Sequence, residues 1–154
     1  MMSQAILPNT IVQVGLIVRD IEKTANEYCK IFGFEMPAII LTDPYEKAHT
    51  TYRGQPSNAQ AKLAFFSFGP LSLELIEPVG GPSTWQQFLD EHGEGVHHIA
   101  FRIKDTDRVV GQLEEAGIPL DQQGQYTGGM YSYLDSADQL AVILELLEDF
   151  DKGA

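Results

Sequence analysis

The sequence predicts an α+β fold built from two βαβββ modules, and three observations predict it. The segment VQVGLIVRD at 12–20 returns in similar form as HHIAFRIKD at 97–105. The segment LELIEP at 73–78 returns as LELLED at 144–149. Repetition along a chain indicates structural units that bury a shared surface. The third observation is length, because 154 residues with 44% hydrophobic content fill one domain and not two.

The first module opens with the β-branched strand 11–18. Asp20 then has the features of a helix N-cap, and Gly33 those of a helix end. The predicted apolar stripe of this helix consists of Ile21, Ala25, Tyr28 and Phe32. Three further strands are predicted at 37–42, 62–68 and 71–77, with an irregular polar segment at 43–60.

The second module repeats the pattern from strand 96–103, with Asp105 as the predicted helix cap and Gly117 as the helix end. The predicted buried stripe of its helix consists of Val109, Leu113 and Ala116. Between the modules, PSTWQQFLDEHGEG predicts a linking helix that is capped by Ser83 or Thr84 and packs through Trp85, Phe88 and Leu89. The expected organisation is a single domain, 1–154, with module one at 11–78, the linking helix at 83–92 and module two at 96–149.

The charge and composition of the chain limit the classes of partner and the compartment that we expect. The net charge is −12 and the ten basic residues form no run, so we expect neither nucleic acid nor a membrane surface as a partner. The single Cys29 cannot form an internal disulfide, which favours a reducing compartment, and we interpret it as a buried helix residue. MMSQAILPNT lacks the features of an export signal, and no apolar run is long enough to span a membrane. We therefore expect a soluble, cytoplasmic protein.

Each repeated strand carries one polar residue in an apolar pattern. Because side chains alternate between the two faces of a strand, residues two apart share a face. One face of each strand is wholly apolar and can lie under a helix, so the other face is expected to turn into the concavity of a curved sheet. The polar residues predicted to share that concave face are Gln13, Glu74, His98 and Glu145.

The chemistry of these side chains favours a metal site. An unpaired buried carboxylate costs several kcal/mol and usually takes up a proton instead. A shared cation removes that cost for both glutamates, and the amide and imidazole complete a set of three oxygens and one nitrogen. Such a set suits a divalent metal ion such as Zn, Co, Ni or Mn. Taken singly, each residue is more typical of a solvent-facing strand position, and the matched positions in the duplication favour the metal.

Other polar residues receive more ordinary interpretations. His97 points away from His98 by strand parity, which predicts a core histidine. His49 and His92 are expected to be solvated. Arg102 shares the predicted concave face, where it is either a contact for a substrate anion or half of a surface ion pair. The segment that contains Tyr126, Gly128, Gly129 and Tyr131 predicts either a mobile lid or an ordinary hairpin.

The motif GEGVHHIAFRIKD and the paired LEL strands resemble the vicinal oxygen chelate superfamily, which includes glyoxalase I, methylmalonyl-CoA epimerase, extradiol dioxygenases and antibiotic-resistance proteins. The resemblance covers 11–149. It implies two βαβββ units that form a cupped mixed β-sheet around a metal, with the metal ligands at Gln13, Glu74, His98 and Glu145.

Within the superfamily, GEGVHHIAF and an ending without a DPDG turn look most like methylmalonyl-CoA epimerase. Two features depart from that family. Epimerases commonly have His where this chain has Gln13, and the Gln, Glu, His, Glu set resembles that of some glyoxalase I enzymes. Some epimerases also carry a second catalytic carboxylate on the strand written here as KLAFFSF, which has no acidic residue.

The resemblance implies an isomerase or epimerase that removes a proton next to a thioester carbonyl. Glu145 is the expected base and Glu74 its partner on the opposite side. The alternatives are a lactoylglutathione lyase of the glyoxalase I type and a metal-free drug-binding protein; a dioxygenase is disfavoured because Gln13 removes one expected histidine. The expected partners are a small thioester or hemithioacetal substrate and a second copy of the chain in a homodimer.

Overall fold

A computed structural model describes residues 4–151. Residues 1–3, at the start of the segment MMSQAILPNT, and residues 152–154, at the end of the predicted domain 1–154, lie outside the described residues. The helices are α1 (Ile21–Phe32), α2 (Tyr45–Ala48), α3 (Thr84–His92), α4 (Thr106–Glu115) and α5 (Ala137–Leu140). The strands are β1 (Gln13–Ile17), β2 (Ile40–Leu41), β3 (Thr51–Tyr52), β4 (Gln55–Pro56), β5 (Gln60–Phe68), β6 (Leu71–Val79), β7 (Gly95–Arg102), β8 (Leu120–Tyr126), β9 (Gly129–Leu134) and β10 (Ile143–Asp149).

The strands form one mixed sheet in the order β2-β5-β6-β1-β7-β10-β9-β8-β3-β4. The first strand of each module pairs in parallel with the last strand of the same module, β1 with β6 and β7 with β10. The two modules join where β1 pairs antiparallel with β7. This arrangement confirms the predicted α+β fold, and it places the four strands that carry the predicted polar residues next to one another.

Each module buries its apolar strand face under its own helix, as strand parity predicts. In module one, α1 covers the β5–β6 side through Ile21 and Ala25, which pack with Leu75. In module two, α4 covers β7 and β10 through Val109 and Leu113. A third cluster lies on the opposite face of the sheet, where Trp85, Phe88 and Leu89 of α3 pack with Ile17, Ile76 and Tyr133.

The cap predictions hold for the first helix and the linking helix. Asp20 accepts a hydrogen bond from the backbone N–H of Lys23, and Gly33 ends α1 in the left-handed region at φ 76°. Ser83, and not Thr84, caps α3 by accepting from the N–H of Gln86. At the end of α1 the predicted stripe is wrong, because Phe32 is 54% exposed. Cys29 is half-buried and not fully buried, with its Sγ 4.0 Å from the Sδ of Met36.

Asp105 occupies the predicted N-cap position of α4, but its side chain does not cap the helix. Asp105 adopts a left-handed conformation at φ 60° and its side chain makes no capping hydrogen bond. Glu148 replaces it by accepting from both the N–H (2.9 Å) and the hydroxyl (2.6 Å) of Thr106. Glu77, at the duplicated position of module one, similarly accepts from the N–H of Ile21 at 3.0 Å. Two side chains therefore cap α1, whereas one caps the start of α4.

The stripe of α4 also differs from the prediction at its end. Ala116 is exposed, and Val110 is buried in its place beside Val109. Gly117 follows the helix with φ 86°, which a side chain would adopt only with strain, so the predicted helix end is close to the observed one.

The segment predicted to be irregular, 43–60, contains three short elements. Helix α2 is followed by the β3–β4 hairpin, and β3 pairs with β8 of the other module through Thr51 and Gln123. Elements of two to four residues carry too little periodicity to be recognised in a sequence. The hairpin extends the sheet beyond β8 and places part of module one against module two.

No helix within 4–151 has the length and apolar character needed to cross a lipid bilayer.

Candidate metal centre

The four central strands bring the predicted polar side chains together around one nitrogen. From His98 Nε2, the Oε1 atom of Gln13 lies at 3.2 Å, that of Glu145 at 3.2 Å and that of Glu74 at 3.4 Å. The ligand atoms of the two glutamates and the histidine all lie within 4.8 Å of one another. One residue comes from each of β1, β6, β7 and β10, so a single chain supplies the whole cluster.

Strand register explains this convergence. Gly15 pairs with Glu74 on one side and with His98 on the other. The His98 ring lies over Gly15, where an added Cβ would be 2.0 Å from the His98 Cε1 atom. Only glycine therefore leaves room for the imidazole at this point of the sheet.

The cluster is buried and its charges are not balanced by hydrogen bonds. Glu74 is 6% exposed, Glu145 3% and His98 0%. Within residues 4–151, the Oε1 atoms of Glu74 and Glu145 are the buried side-chain polar atoms that have no hydrogen-bond partner. Such atoms carry the full cost of desolvation unless a partner is supplied.

The pKa values reflect the same imbalance. Burial, together with the charge of Glu145, raises the pKa of Glu74 to about 8, although His98 opposes this rise. For His98, burial disfavours the charged ring, but the nearby carboxylates of Glu145 and Glu74 outweigh burial and raise its pKa. Two buried carboxylates thus compete for one positive partner.

These residues fit a divalent cation. The two orphaned carboxylate oxygens, the Gln13 amide oxygen and the His98 nitrogen form a set of three oxygens and one nitrogen. Metal–ligand bonds of ~2.0–2.2 Å place neighbouring donors about 3.0–3.5 Å apart. The 3.2–3.4 Å separations around His98 Nε2 lie in that range.

His97 departs from its prediction. It is buried, as expected, but it does not point away from His98, because the two Nδ1 atoms are 2.9 Å apart. The pairing of Gly15 with His98 and then of Leu16 with Val96 leaves His97 as the extra residue of a β-bulge. A bulge interrupts side-chain alternation, and no sequence signal in this strand reveals it.

A cavity of about 560 Å³ opens over the cluster. Its wall includes Tyr131 and Tyr133 of β9 together with Arg102, and Arg102 donates to Asp149 at 2.6 Å. Arg102 thus lies on the predicted concave face and forms an ion pair there. Strands β8 and β9 meet in a hairpin turn at Thr127 and Gly128, as the hairpin alternative predicts.

The remaining predicted polar residues, His49 and His92, do not line the cavity. His92 is exposed at the end of α3, and His49 is exposed after α2, as expected. On β5, the residues that line the cavity are Leu63 and Phe65. The cavity wall therefore has no acidic residue from that strand, in agreement with its sequence.

Comparison with known proteins agrees with this architecture. A family model of the Glyoxalase/Bleomycin resistance protein/Dioxygenase superfamily matches residues 12–133. The uncharacterized protein YqjC of Bacillus subtilis is 31% identical over 144 residues, covering 91% of this chain and 92% of its own. An ethylmalonyl-CoA/methylmalonyl-CoA epimerase of Cereibacter sphaeroides is 26% identical over 105 residues, covering 68% of each chain.

Among solved structures, methylmalonyl-CoA epimerase from Mycobacterium tuberculosis superposes with a TM-score of 0.66 at 19% identity. The match covers 99% of this chain and 95% of that one, and at this identity it shows a shared fold. The family match, which extends over most of the described sheet, confirms the resemblance read from the repeated strands. The chain belongs to the Glyoxalase/Bleomycin resistance protein/Dioxygenase superfamily.

Proposed function

We propose that this protein is a metal-dependent enzyme that moves a proton at a carbon next to a carbonyl group, and that it acts as an epimerase on a small acyl thioester. The observation that carries the proposal is the pair of buried Oε1 atoms of Glu74 and Glu145 without hydrogen-bond partners in the described chain, 3.2–3.4 Å from His98 Nε2. The likeness to methylmalonyl-CoA epimerases in sequence and fold supports the thioester.

The proposed ligands are Gln13, Glu74, His98 and Glu145. A divalent ion such as Zn, Co, Ni or Mn, when bound, stabilises the negative charge that the carbonyl oxygen gains as the neighbouring carbon loses its proton.

The two carboxylates are proposed to move the proton. The Glu145 carboxylate takes the proton through the oxygen that is not a proposed metal donor, as the C–H bond breaks and the electron pair of that bond moves toward the carbonyl oxygen. Glu74 belongs to the other half of the sheet; its carboxyl group holds a proton at the start of the step and gives it to the opposite face of the carbon, so one proton moves onto Glu145 and one leaves Glu74. The apolar residues Leu63 and Phe65 and the ring of Tyr133 exclude water from this end of the cavity.

A lactoylglutathione lyase of the glyoxalase I type is the second candidate. Two observations favour it: an amide oxygen, that of Gln13, lies at the first ligand position, and β5 presents Leu63 and Phe65 to the cavity in place of an acidic residue. This reaction moves a proton between adjacent carbons and uses the same cluster.

Solvent-exchange experiments with two substrates distinguish the candidates. The protein, reconstituted with each metal, is incubated in deuterated water with methylmalonyl-CoA or with the glutathione hemithioacetal of methylglyoxal. We expect deuterium in the methylmalonyl group with conversion between its epimers, measured by mass spectrometry and a stereospecific coupled assay. Formation of lactoylglutathione alone would support the lyase. A protein that binds no metal and turns over neither compound would contradict both proposals and favour the binding protein.

A further inference from the structure

A continuous chain of buried polar contacts connects the cavity wall to the back of His98. Gln122 Nε2 donates to the Tyr131 hydroxyl at 3.1 Å, and Gln122 Oε1 accepts from the N–H of Thr84 at 2.8 Å. The Thr84 hydroxyl lies 3.1 Å from His97 Nε2, and His97 Nδ1 lies 2.9 Å from His98 Nδ1. The four residues that this series of contacts links to His98 are Tyr131, Gln122, Thr84 and His97, and none of them belongs to the proposed ligand set.

The direction of these hydrogen bonds follows from the role of His98. A neutral imidazole holds one proton, so a ring that offers the Nε2 lone pair to a cation carries its proton on Nδ1. That Nδ1–H faces His97 Nδ1, which must therefore be the acceptor. The proton of His97 is then on Nε2, where the Thr84 hydroxyl oxygen accepts it. His98 Nδ1 and His97 Nε2 are then donors and His97 Nδ1 is an acceptor, which leaves His98 Nε2 for the cation.

We propose that His97 is a positioning residue that holds neutral His98 in the tautomer whose Nε2 is free for a cation, an inference that rests on the proposed metal site. Metal-bound histidines generally donate their second N–H to a fixed acceptor, which sets the ring's orientation and raises its basicity. Here the acceptor is a second histidine.

The surroundings of His97 hold its ring in place. The β-bulge turns the side chain toward His98, and the ring packs edge-on against Phe88 and Tyr133 with centroid distances of 5.4 and 5.1 Å. Thr84 is the first residue of α3, and its position is set by the Ser83 cap and by Gln122. The linking helix thus fixes the acceptor for the His97 proton, which couples the helix between the modules to the metal ligand.

If His97 only filled space in the core, metal affinity would not depend on an acceptor at this position, so two replacements of His97 test the inference. His97→Phe keeps a buried ring of similar size and removes the acceptor for His98. His97→Asn keeps an oxygen acceptor at the position of Nδ1. We expect zinc affinity, measured by competition with a chelator, to fall about 10- to 100-fold in His97→Phe, as is typical when the partner of a metal-bound histidine is removed. His97→Asn should retain affinity within a few-fold of wild type.

A second pair of variants, at Thr84, keeps the test informative if replacement of the buried His97 prevents folding. Thr84→Val removes the hydroxyl that accepts from His97 Nε2, whereas Thr84→Ser retains it. We expect a several-fold loss of zinc affinity in the first variant and none in the second. Proton NMR of zinc-loaded protein with isotope-labelled histidine provides a direct signature, a His98 Nδ1–H signal that is protected from exchange in wild type and lost in His97→Phe.

The outcomes separate this inference from the proposed function. Wild-type protein that binds no divalent ion contradicts the proposed metal site, and the role of His97 with it. Wild-type protein that binds zinc while His97→Phe and Thr84→Val bind it equally tightly, with an unchanged His98 signal, contradicts the role of His97 alone. Zinc affinity that falls in His97→Phe and Thr84→Val, and is retained in His97→Asn and Thr84→Ser, supports both the metal site and the role of His97.

Discussion

The two modules use the same sheet geometry to present different donors, and the residue opposite each donor differs accordingly. In module one the first donor is Gln13, which pairs across the modules with Ala100; in module two it is His98, which pairs with Gly15. The His98 imidazole lies where a Cβ on Gly15 would be, whereas the position opposite Gln13 carries the Cβ of Ala100. The two modules therefore place a donor at the same strand position, and the residue paired with it on the facing strand is smaller where the donor is bulkier.

The modules also differ in how they extend the sheet. Module two connects β8 to β9 by a tight turn, whereas module one inserts α2 and the β3–β4 hairpin between β2 and β5. The hairpin pairs with β8, so a module-one insertion forms one edge of the module-two sheet. Residues of that insertion, Ala48 and Thr50, line the cavity. The central strands therefore carry the proposed chemistry, and the unequal loops shape the space above it.

The largest expected effect is on turnover, and it compares Glu145 of the buried cluster with a glutamate on the protein surface. Glu145→Gln keeps the shape of the side chain but removes the group that takes up the proton, so turnover should fall about 100- to 10,000-fold. Glu114→Gln, an exposed change on α4, is the matched control and should leave turnover unchanged. The measurement is the steady-state rate with the active substrate at saturating metal. Near-normal turnover in Glu145→Gln would remove that residue from the proposed role.

Stability of the chelator-treated protein should depend on pH through Glu74. Its pKa of about 8 in the folded protein exceeds its ordinary value of 4.5, so the folded state binds this proton more tightly than the unfolded state. The stabilisation is complete below about 4.5 and is lost as the pH rises through about 8. Denaturant unfolding across this window should show wild type losing stability relative to Glu74→Gln, whose amide does not titrate. Parallel profiles for the two proteins would refute the prediction.

The glycine opposite His98 should tolerate change less well than the alanine opposite Gln13. Gly15→Ala forces the His98 ring to move and should cost about 1–3 kcal/mol in unfolding free energy, with weaker metal binding. Ala100→Gly removes a methyl group, which should cost about 0.5–1 kcal/mol and leave metal affinity unchanged. Equal metal affinity in both variants would show that the close contact between Gly15 and His98 does not matter for the site.

The smallest expected effects concern the helix caps. Asp20→Ala should lower the unfolding free energy by about 0.5–2 kcal/mol, because the Asp20 side chain caps α1. Asp105→Gly should change it by less than about 0.5 kcal/mol, because Asp105 makes no capping bond and has a left-handed φ that suits glycine. Glu148→Gln should cost about 1 kcal/mol through its bonds to Thr106. A larger loss in Asp105→Gly than in Glu148→Gln would reverse this assignment.

The duplication and strand parity together were sufficient to predict the two-module fold and the convergence of the cluster. The alternation around Glu74 and Glu145 depends only on neighbouring residues, so the sequence carries it in full. The contact between His97 and His98 could not be predicted in this way, because a bulge depends on pairing with β1, and pairing is a property of two distant segments.

The same distinction explains the helix caps. The bond from Asp20 to Lys23 is local and was predicted, whereas the bonds from Glu77 and Glu148 join each helix to a strand more than forty residues away along the chain. The duplication offered a signal for these bonds in hindsight, since the two glutamates occupy equivalent positions in LELIEP and LELLED.

The most direct test of the central claim is a metal titration of chelator-treated protein, comparing wild type with the Glu74→Gln/Glu145→Gln double variant by calorimetry. The cluster around His98 Nε2 predicts one divalent ion per wild-type chain, and loss of that binding in a double variant that remains folded. Wild-type protein that takes up no ion, or a double variant that binds as tightly as wild type, would contradict the claim that these side chains form a metal centre.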